Sequence, residues 1–316
     1  MARYYETFFM KIAIFDTNNH PTPILKEWAS GFLDLNHEVD FYPTEHHTIL
    51  SCMNIPYDLI VYVGDINVHH FENVKQNNPT VKIVCAADAI QPHFYQFTDL
   101  IDFFITTQHS CPTLVNQFKE IGFQLYHVPL AGNNHLFYPV DLQKIYDVCF
   151  IGNLSHGYRG EDIFLYPLLD NKNYNCFLGG MTYKNYNTGF VPYNQHNQIR
   201  NSTKININFH VSYQHHDRGV PVDRIDLNQS VYNIALSGGF QICDHELAHE
   251  LFSGNIIKGT EENWEELVEY YIHNDTARNE LAKKSYDIAI ENHTWKARMT
   301  EFLNILENHE HNSIYN

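Results

Sequence analysis

Positive charge is scarce in this chain. Twenty lysines and arginines stand against 37 aspartates and glutamates, a formal net charge of -17 over 316 residues. A chain of that sign is repelled by a phosphate backbone, which excludes general nucleic-acid binding and leaves room only for a local basic cleft. Paired cysteines are also missing. Cys52, Cys85, Cys111, Cys149, Cys176 and Cys243 include no C-x-x-C spacing. Cys85, Cys149 and Cys243 lie in apolar runs, where a free thiol packs as a small hydrophobe. The expectation is a reducing, cytoplasmic compartment without a disulfide framework. The N-terminal run MARYYETFFMKIAIF is broken by Lys11, too short for a membrane span and poorly flanked for a signal peptide. Walker loop, G-x-G-x-x-G and G-x-S-x-G are all absent.

What is present suits a packed protein with two cores: 44% hydrophobic and 18% charged residues over this length. Tyr, Phe and His each occur 21 times; such a surface suits carbohydrate contacts and equally reflects codon bias. The first half alternates strand and helix signals. Lys11–Phe15, Tyr57–Val63, Val81–Ala87, Ile101–Thr106 and Gln124–Val128 read as strands. Thr22-Pro23 opens a helix carrying Leu25, Trp28, Ala29 and Phe32, and Ser110 caps another that Gly122 closes. Strands apolar throughout, separated by amphipathic helices, indicate a parallel sheet covered on both faces.

The aperiodic segment Pro129–Gln143 reads as a linker, and a second α/β series follows it. Its strands are Tyr146–Ile151, Tyr174–Leu178, Lys204–Phe209 and Phe240–Cys243; its helices are Arg159–Leu169, Ile225–Leu236 and one capped by Thr260. The expected division is 1–140, 141–293, and a C-terminal helix from 294 onward packing back on the first domain. The fold class is therefore α/β, two Rossmann-like domains with parallel sheets facing a cleft.

Ligands of parallel sheets bind beyond the strands' carboxyl ends. Asp16 and Asp88 stand there in the first half, as acids or as helix caps. In the second half Gly152-Asn153 ends a strand, and Arg159 follows closely enough to add charge. Gly238-Gly239 joins a helix to a strand, either as a C-cap or as bare backbone for a ligand. Lys204 and Arg224 belong to a cluster of cations, with Arg200 and Arg218, able to meet a diphosphate. His245 to His249 spells H-E-L-A-H, which matches the zincin pattern literally. It sits directly after a strand of a parallel sheet without a third ligand in metzincin spacing, so we read it as structural and expect no metal site.

From about Tyr146 to Arg298 these pieces, in order, resemble the CgeB-like (spore-maturation-protein-like) glycosyltransferases of the GT-B group. The pieces are YDVCFIGN with Arg159 beyond it, KININ at Lys204–Asn208, SGGF, QICD, ELAHELF, WEELVEYYIHN, Ala277-Arg278 and ENHTWKAR at Glu291–Arg298. The resemblance implies a nucleotide-sugar donor held by the second domain. It implies transfer to a hydroxyl acceptor (glycan, protein or modified nucleobase), retention of configuration, no cofactor and no required metal. The family pattern N-x-R-x-F-E falls on Asn228, Ser230, Tyr232 and Asn233, so asparagine is kept while arginine and glutamate are replaced. A sugar-nucleotide epimerase or hydrolase, or a catalytically weak sugar-nucleotide-binding protein, is the alternative on the same fold.

Overall fold

The computed structural model describes residues 9–16, 24–43, 55–63, 69–86, 100–107, 112–152, 164–180, 182–183, 186–187, 189–210 and 226–313. Contacts divide the chain into two units. One is Met1–Pro129 with Asp223–Asp226 and Trp295–Asn316; the other is Leu130–Val222 with Leu227–Thr294.

The first unit contains β1 (Lys11–Asp16), α1 (Ile24–Asp34), β2 (Glu38–Pro43), β3 (Leu59–Val63), α2 (His69–Asn77), β4 (Lys82–Ala86), β5 (Phe103–Thr106), α3 (Pro112–Glu120) and β6 (Leu125–His127). Its six strands are all parallel in the order β2-β1-β3-β4-β5-β6. Ile12, Ala13, Ile14, Ile60, Val61, Ile83 and Val84 are buried, as strands covered on both faces require. Gly122, at φ +86°, ends α3, where Phe123 N–H returns to the Phe118 carbonyl. The strand β2 escapes a search for apolar runs because it is an edge strand with two charges in EVDFYP.

The second unit contains β7 (Tyr146–Ile151), α4 (Tyr166–Asp170), β8 (Cys176–Gly179), a short hairpin of β9 (Thr182–Tyr183) and β10 (Tyr186–Asn187), α5 (His196–Asn201), β11 (Thr203–Asn208), α6 (Gln229–Leu236), β12 (Gln241–Cys243), α7 (Glu246–Leu251), β13 (Ile257–Lys258), α8 (Trp264–His273) and α9 (Asp275–Asn292). The five main strands run parallel in the order β13-β12-β11-β7-β8. One apolar layer gathers Val148, Phe150, Leu178, Ile205, Ile207 and Trp264; another gathers Phe137, Val231, Tyr232, Cys243 and Phe252. Segment 129–143 is not a free tether: Ala131, Asn133 and Phe137 are buried, and Gly132 N–H bonds the His293 carbonyl. Asn263, not Thr260, is the residue before α8, and its side chain accepts from the Thr260 N–H at 2.7 Å. The expected helix 159–169 is described only from residue 164 and is regular over Tyr166–Asp170.

Along β11 apolar and polar residues alternate, a pattern usually read as one wet face. Here both faces are covered: Asn206 and Asn208 are as buried as Ile205 and Ile207. The amide nitrogens find partners, which offsets their desolvation, while Asn206 Oδ1 has none among the described residues. Asn206 Nδ2 donates to the Phe240 carbonyl, and Asn208 and Asn228 exchange hydrogen bonds in both directions at 3.0 Å.

The last helix, α10 (Trp295–Ser313), belongs by contact to the first unit and packs on α1. Trp28, Trp295 and Phe302 form the seam, with ring centroids 6.2 Å apart for both Trp28 pairs. Gly31 permits it: a Cβ there would lie 2.6 Å from the Trp295 carbonyl oxygen and 2.8 Å from Met299 Cγ. Among the described residues no helix is long and apolar enough to cross a membrane, and Cys85, Cys149, Cys176 and Cys243 are free thiols. Gly31→Val is expected to lower unfolding free energy by about 1–3 kcal/mol through overpacking. Urea denaturation checks this; an unchanged midpoint would mean that α10 does not need the close approach.

Candidate functional site

In an open parallel sheet the crevice lies beyond the carboxyl ends where strand order reverses. In the second unit that point falls between β7 and β11. Gly152 stands just past β7 and its N–H bonds the Gly179 carbonyl at 3.1 Å. Gly180, at φ +95°, comes so close that a Cβ would sit 2.5 Å from the Gly152 carbonyl oxygen. Two glycines thus keep this rim low.

Past β11 the chain reaches His210. Its Nδ1 lies 2.9 Å from Asp244 Oδ1, and its backbone N–H also bonds the Asp244 carboxylate, at 3.0 and 3.1 Å. The other ring nitrogen, Nε2, accepts the Asn228 N–H at 3.2 Å. An accepting Nε2 fixes the tautomer, so the ring proton sits on Nδ1 and is donated to Asp244. Asn228 in turn precedes α6, and its amide also donates to the Phe209 carbonyl. The ends of β11 and β12 and the first turn of α6 are therefore tied at one place. Cys243 is fully buried beside them, and burial followed by the Asp244 charge pushes its thiol well above the usual range.

Behind α6 lies Arg200, 3% exposed. Burial pulls its guanidinium down to about 10. Nη2 touches Ser230 Oγ at 3.4 Å in the first turn of α6, the guanidinium carbon lies 5.1 Å from the Phe137 ring centre, and Nη1 has no hydrogen-bond partner among the described residues. No carboxylate is among these contacts. A buried cation without an acid is costly unless an anion arrives.

Several residues singled out by sequence stand elsewhere. Lys204 is at the start of β11, at the amino end of the strands, and bonds Asp147 at 2.7 Å. In this structure it is engaged in that ion pair, at the opposite end of the strand from the carboxyl rim. Gly238 and Gly239 likewise lead into the amino end of β12. Gly238, at φ +67°, and the Gly239 N–H bond to the Ile234 carbonyl close α6, and a Cβ at Gly239 would meet Asn206 Nδ2 at 2.9 Å. The pair caps α6 against a packed interior.

Tyr232 is buried against Phe252 and His293. Asn233 is also buried; its Oδ1 accepts from Asn133 N–H and its Nδ2 donates to the Tyr193 hydroxyl, both at 3.1 Å. Of the two aspartates, Asp16 closes β1 at the carboxyl rim of the first unit's sheet. Asp88, Asn153, Arg159 and Arg224 lie outside the described residues. In H-E-L-A-H, His245 precedes α7 and accepts from Leu247 N–H, while His249 Nδ1 pairs with the Ile256 carbonyl, so both rings serve the backbone. The His210–Asp244 pair was missed because its partners are 34 residues apart and no motif marks them.

Over residues 159–304 the chain matches the family model described as glycosyl transferase-like. No curated protein matches it by sequence. Among solved structures it resembles sucrose-phosphate synthase from Thermosynechococcus elongatus, at 10% identity and TM-score 0.62, over 95% of this chain and 98% of that one. It also resembles a UDP-forming α,α-trehalose-phosphate synthase from Burkholderia xenovorans, at 8% identity and TM-score 0.56, over 94% and 100%. The fold is GT-B. The matched stretch covers most of the second unit and reaches into α10.

His196 is a pH probe of this region. Burial, then the Arg200 charge, lowers it from 6.5 to about 4, against a hydrogen bond to the Val191 carbonyl. A depressed folded value stabilises the fold above pH 6.5, and that contribution is lost as pH falls toward 4. The loss is on the order of 3 kcal/mol at most. His196→Gln should flatten stability between those limits in urea titrations at stepped pH; an unchanged slope would remove His196 as the cause.

Proposed function

We propose that the protein transfers a sugar from a nucleotide-sugar donor to a hydroxyl acceptor, as a CgeB-like member of the GT-B group. The observation that carries this reading is the glycosyl transferase-like match lying over the unit in which Arg200 is buried against the first turn of α6 with no acidic partner among the described residues. A leaving nucleoside diphosphate is the anion such a place lacks: helix N–H groups and a guanidinium stabilise charge that develops as the glycosidic bond breaks. Arg159 and Arg224 remain the further cations of the proposal, with Gly152 and Asn153 at the rim. On the acceptor side, Asp88 and Asp16 are proposed to orient the attacking hydroxyl and take up its proton. Retention is supported by the sequence resemblance and by likeness to a trehalose-6-phosphate synthase studied for transfer with retention, at 8% identity and TM-score 0.58.

A second reading, a sugar-nucleotide-binding protein with weak transfer, is favoured by Asn233. Its neutral amide is buried and bonded to Asn133 and Tyr193, so the charge a glutamate would bring to a donor hydroxyl is missing there. Assays of product formation with and without acceptor separate transfer, hydrolysis and binding alone.

A thermal-shift screen against UDP-, GDP-, dTDP- and CMP-sugars tests the donor. At 100 times its dissociation constant the right one stabilises by about 2.7 kcal/mol. Arg200→Met should then weaken that donor by about 2–5 kcal/mol in calorimetry, because a phosphate charge loses its partner. Donor affinity equal to the parent's in a folded Arg200→Met would remove Arg200 from the site.

Transfer on this reading needs no magnesium or manganese, since cations of the chain meet the diphosphate. Initial rates without added divalent ion are expected to match those with added magnesium. A rate that appears only on adding magnesium or manganese would refute this.

A further inference from the structure

Three ligand atoms of unlike chemistry converge beyond β11 and β12. His210 Nδ1 is 3.7 Å from Cys243 Sγ and 2.9 Å from Asp244 Oδ1, and Sγ is 3.8 Å from Oδ1. We propose that His210, Cys243 and Asp244 bind a zinc-class divalent cation, with solvent as the fourth ligand. The ion has no part in the transfer proposed above, and this inference does not rest on that reading.

The geometry is the first argument. With zinc bonds of about 2.0–2.3 Å, a tetrahedral ion sets its nitrogen, oxygen and sulfur ligands about 3.3–3.6 Å apart. The three observed separations depart from that range by about half an ångström or less, and small side-chain rotations close the gap. Chemistry is the second. A thiolate with an imidazole selects a soft or borderline ion over magnesium or calcium. Charge is the third. Thiolate and carboxylate together neutralise a divalent ion, which a nearly buried place requires. Access comes from the rim, where the His210 and Asp244 side chains are 10% and 21% exposed.

The proton balance links the ion to the fold. Binding releases one proton, from Sγ, so affinity rises with pH. The ring proton moves from Nδ1 to Nε2, where the Asn228 N–H now stands 3.2 Å away as a second donor. Asn228 must give way, so the metal-loaded and metal-free proteins differ at the first turn of α6.

The test uses the full chain, stripped by chelator and dialysed, and titrated with cobalt(II). The expected result is a thiolate-to-cobalt charge-transfer band with the visible bands of a four-coordinate ion, saturating at one equivalent and displaced by zinc. Cys243→Ser abolishes the charge-transfer band while Cys111→Ser keeps it. His210→Gln and Asp244→Asn weaken cobalt at least about tenfold. Circular dichroism verifies that each variant is folded. A folded parent without the band, or a folded Cys243→Ser that keeps it, overturns the proposal. Should Cys243→Ser not fold, unchanged cobalt affinity in His210→Gln overturns it instead.

Discussion

The second unit hangs on two amides facing each other across a covered sheet. Asn208 ends β11, Asn228 precedes α6, and each gives the other a hydrogen bond. Asn208 is buried and Asn228 partly so, and each satisfies a donor and an acceptor of the other. The pair fixes where α6 begins, and with that the height at which its first turn meets the carboxyl rim. His210 and Asp244 add a second tie at the same level, through a ring whose two nitrogens are both engaged. Functional geometry here follows from satisfying buried polar groups.

Cations in so acidic a chain are spent in different ways. Lys204 and Lys75 each close an ion pair with an aspartate, Asp147 and Asp102, in the second and first units. Arg278 turns inward to the carbonyls of Tyr271 and Ile272 and to Asp275. Arg200 differs because its neighbours among the described residues are hydroxyls, an aromatic ring and the Cys149 thiol, with no acid. Sequence proximity made Lys204 and Arg200 look alike. The strand direction separates them, since one side chain sits at the amino end and the other reaches the first turn of a helix that starts at the carboxyl end.

Much of the architecture was legible because continuous apolar strands alternating with helices have few other solutions. Tyr57–Val63 and Tyr146–Ile151 were readable in this way, and Trp28 with Phe32 marked a helix face. The strand β2 was not, since an edge needs charge rather than an apolar run. KININ was read as a strand correctly, but its alternation gave no hint that its asparagines are buried, because period alone reports side-chain direction and not what covers each face.

By itself, the sequence determined the fold class: the order of apolar strands, helix stripes and glycines is local information, and local information decides a doubly wound sheet. Tertiary structure decided the site. Gly238 and Gly239 look the same in sequence whether they cap a helix or admit a ligand, and only the direction of β12 shows that they lie at the amino end. His210, Cys243 and Asp244 are brought together by parallel pairing of β11 with β12, Asn208 against Cys243. That register is a long-range contact, set by burial of both faces at once, and no window of residues contains it.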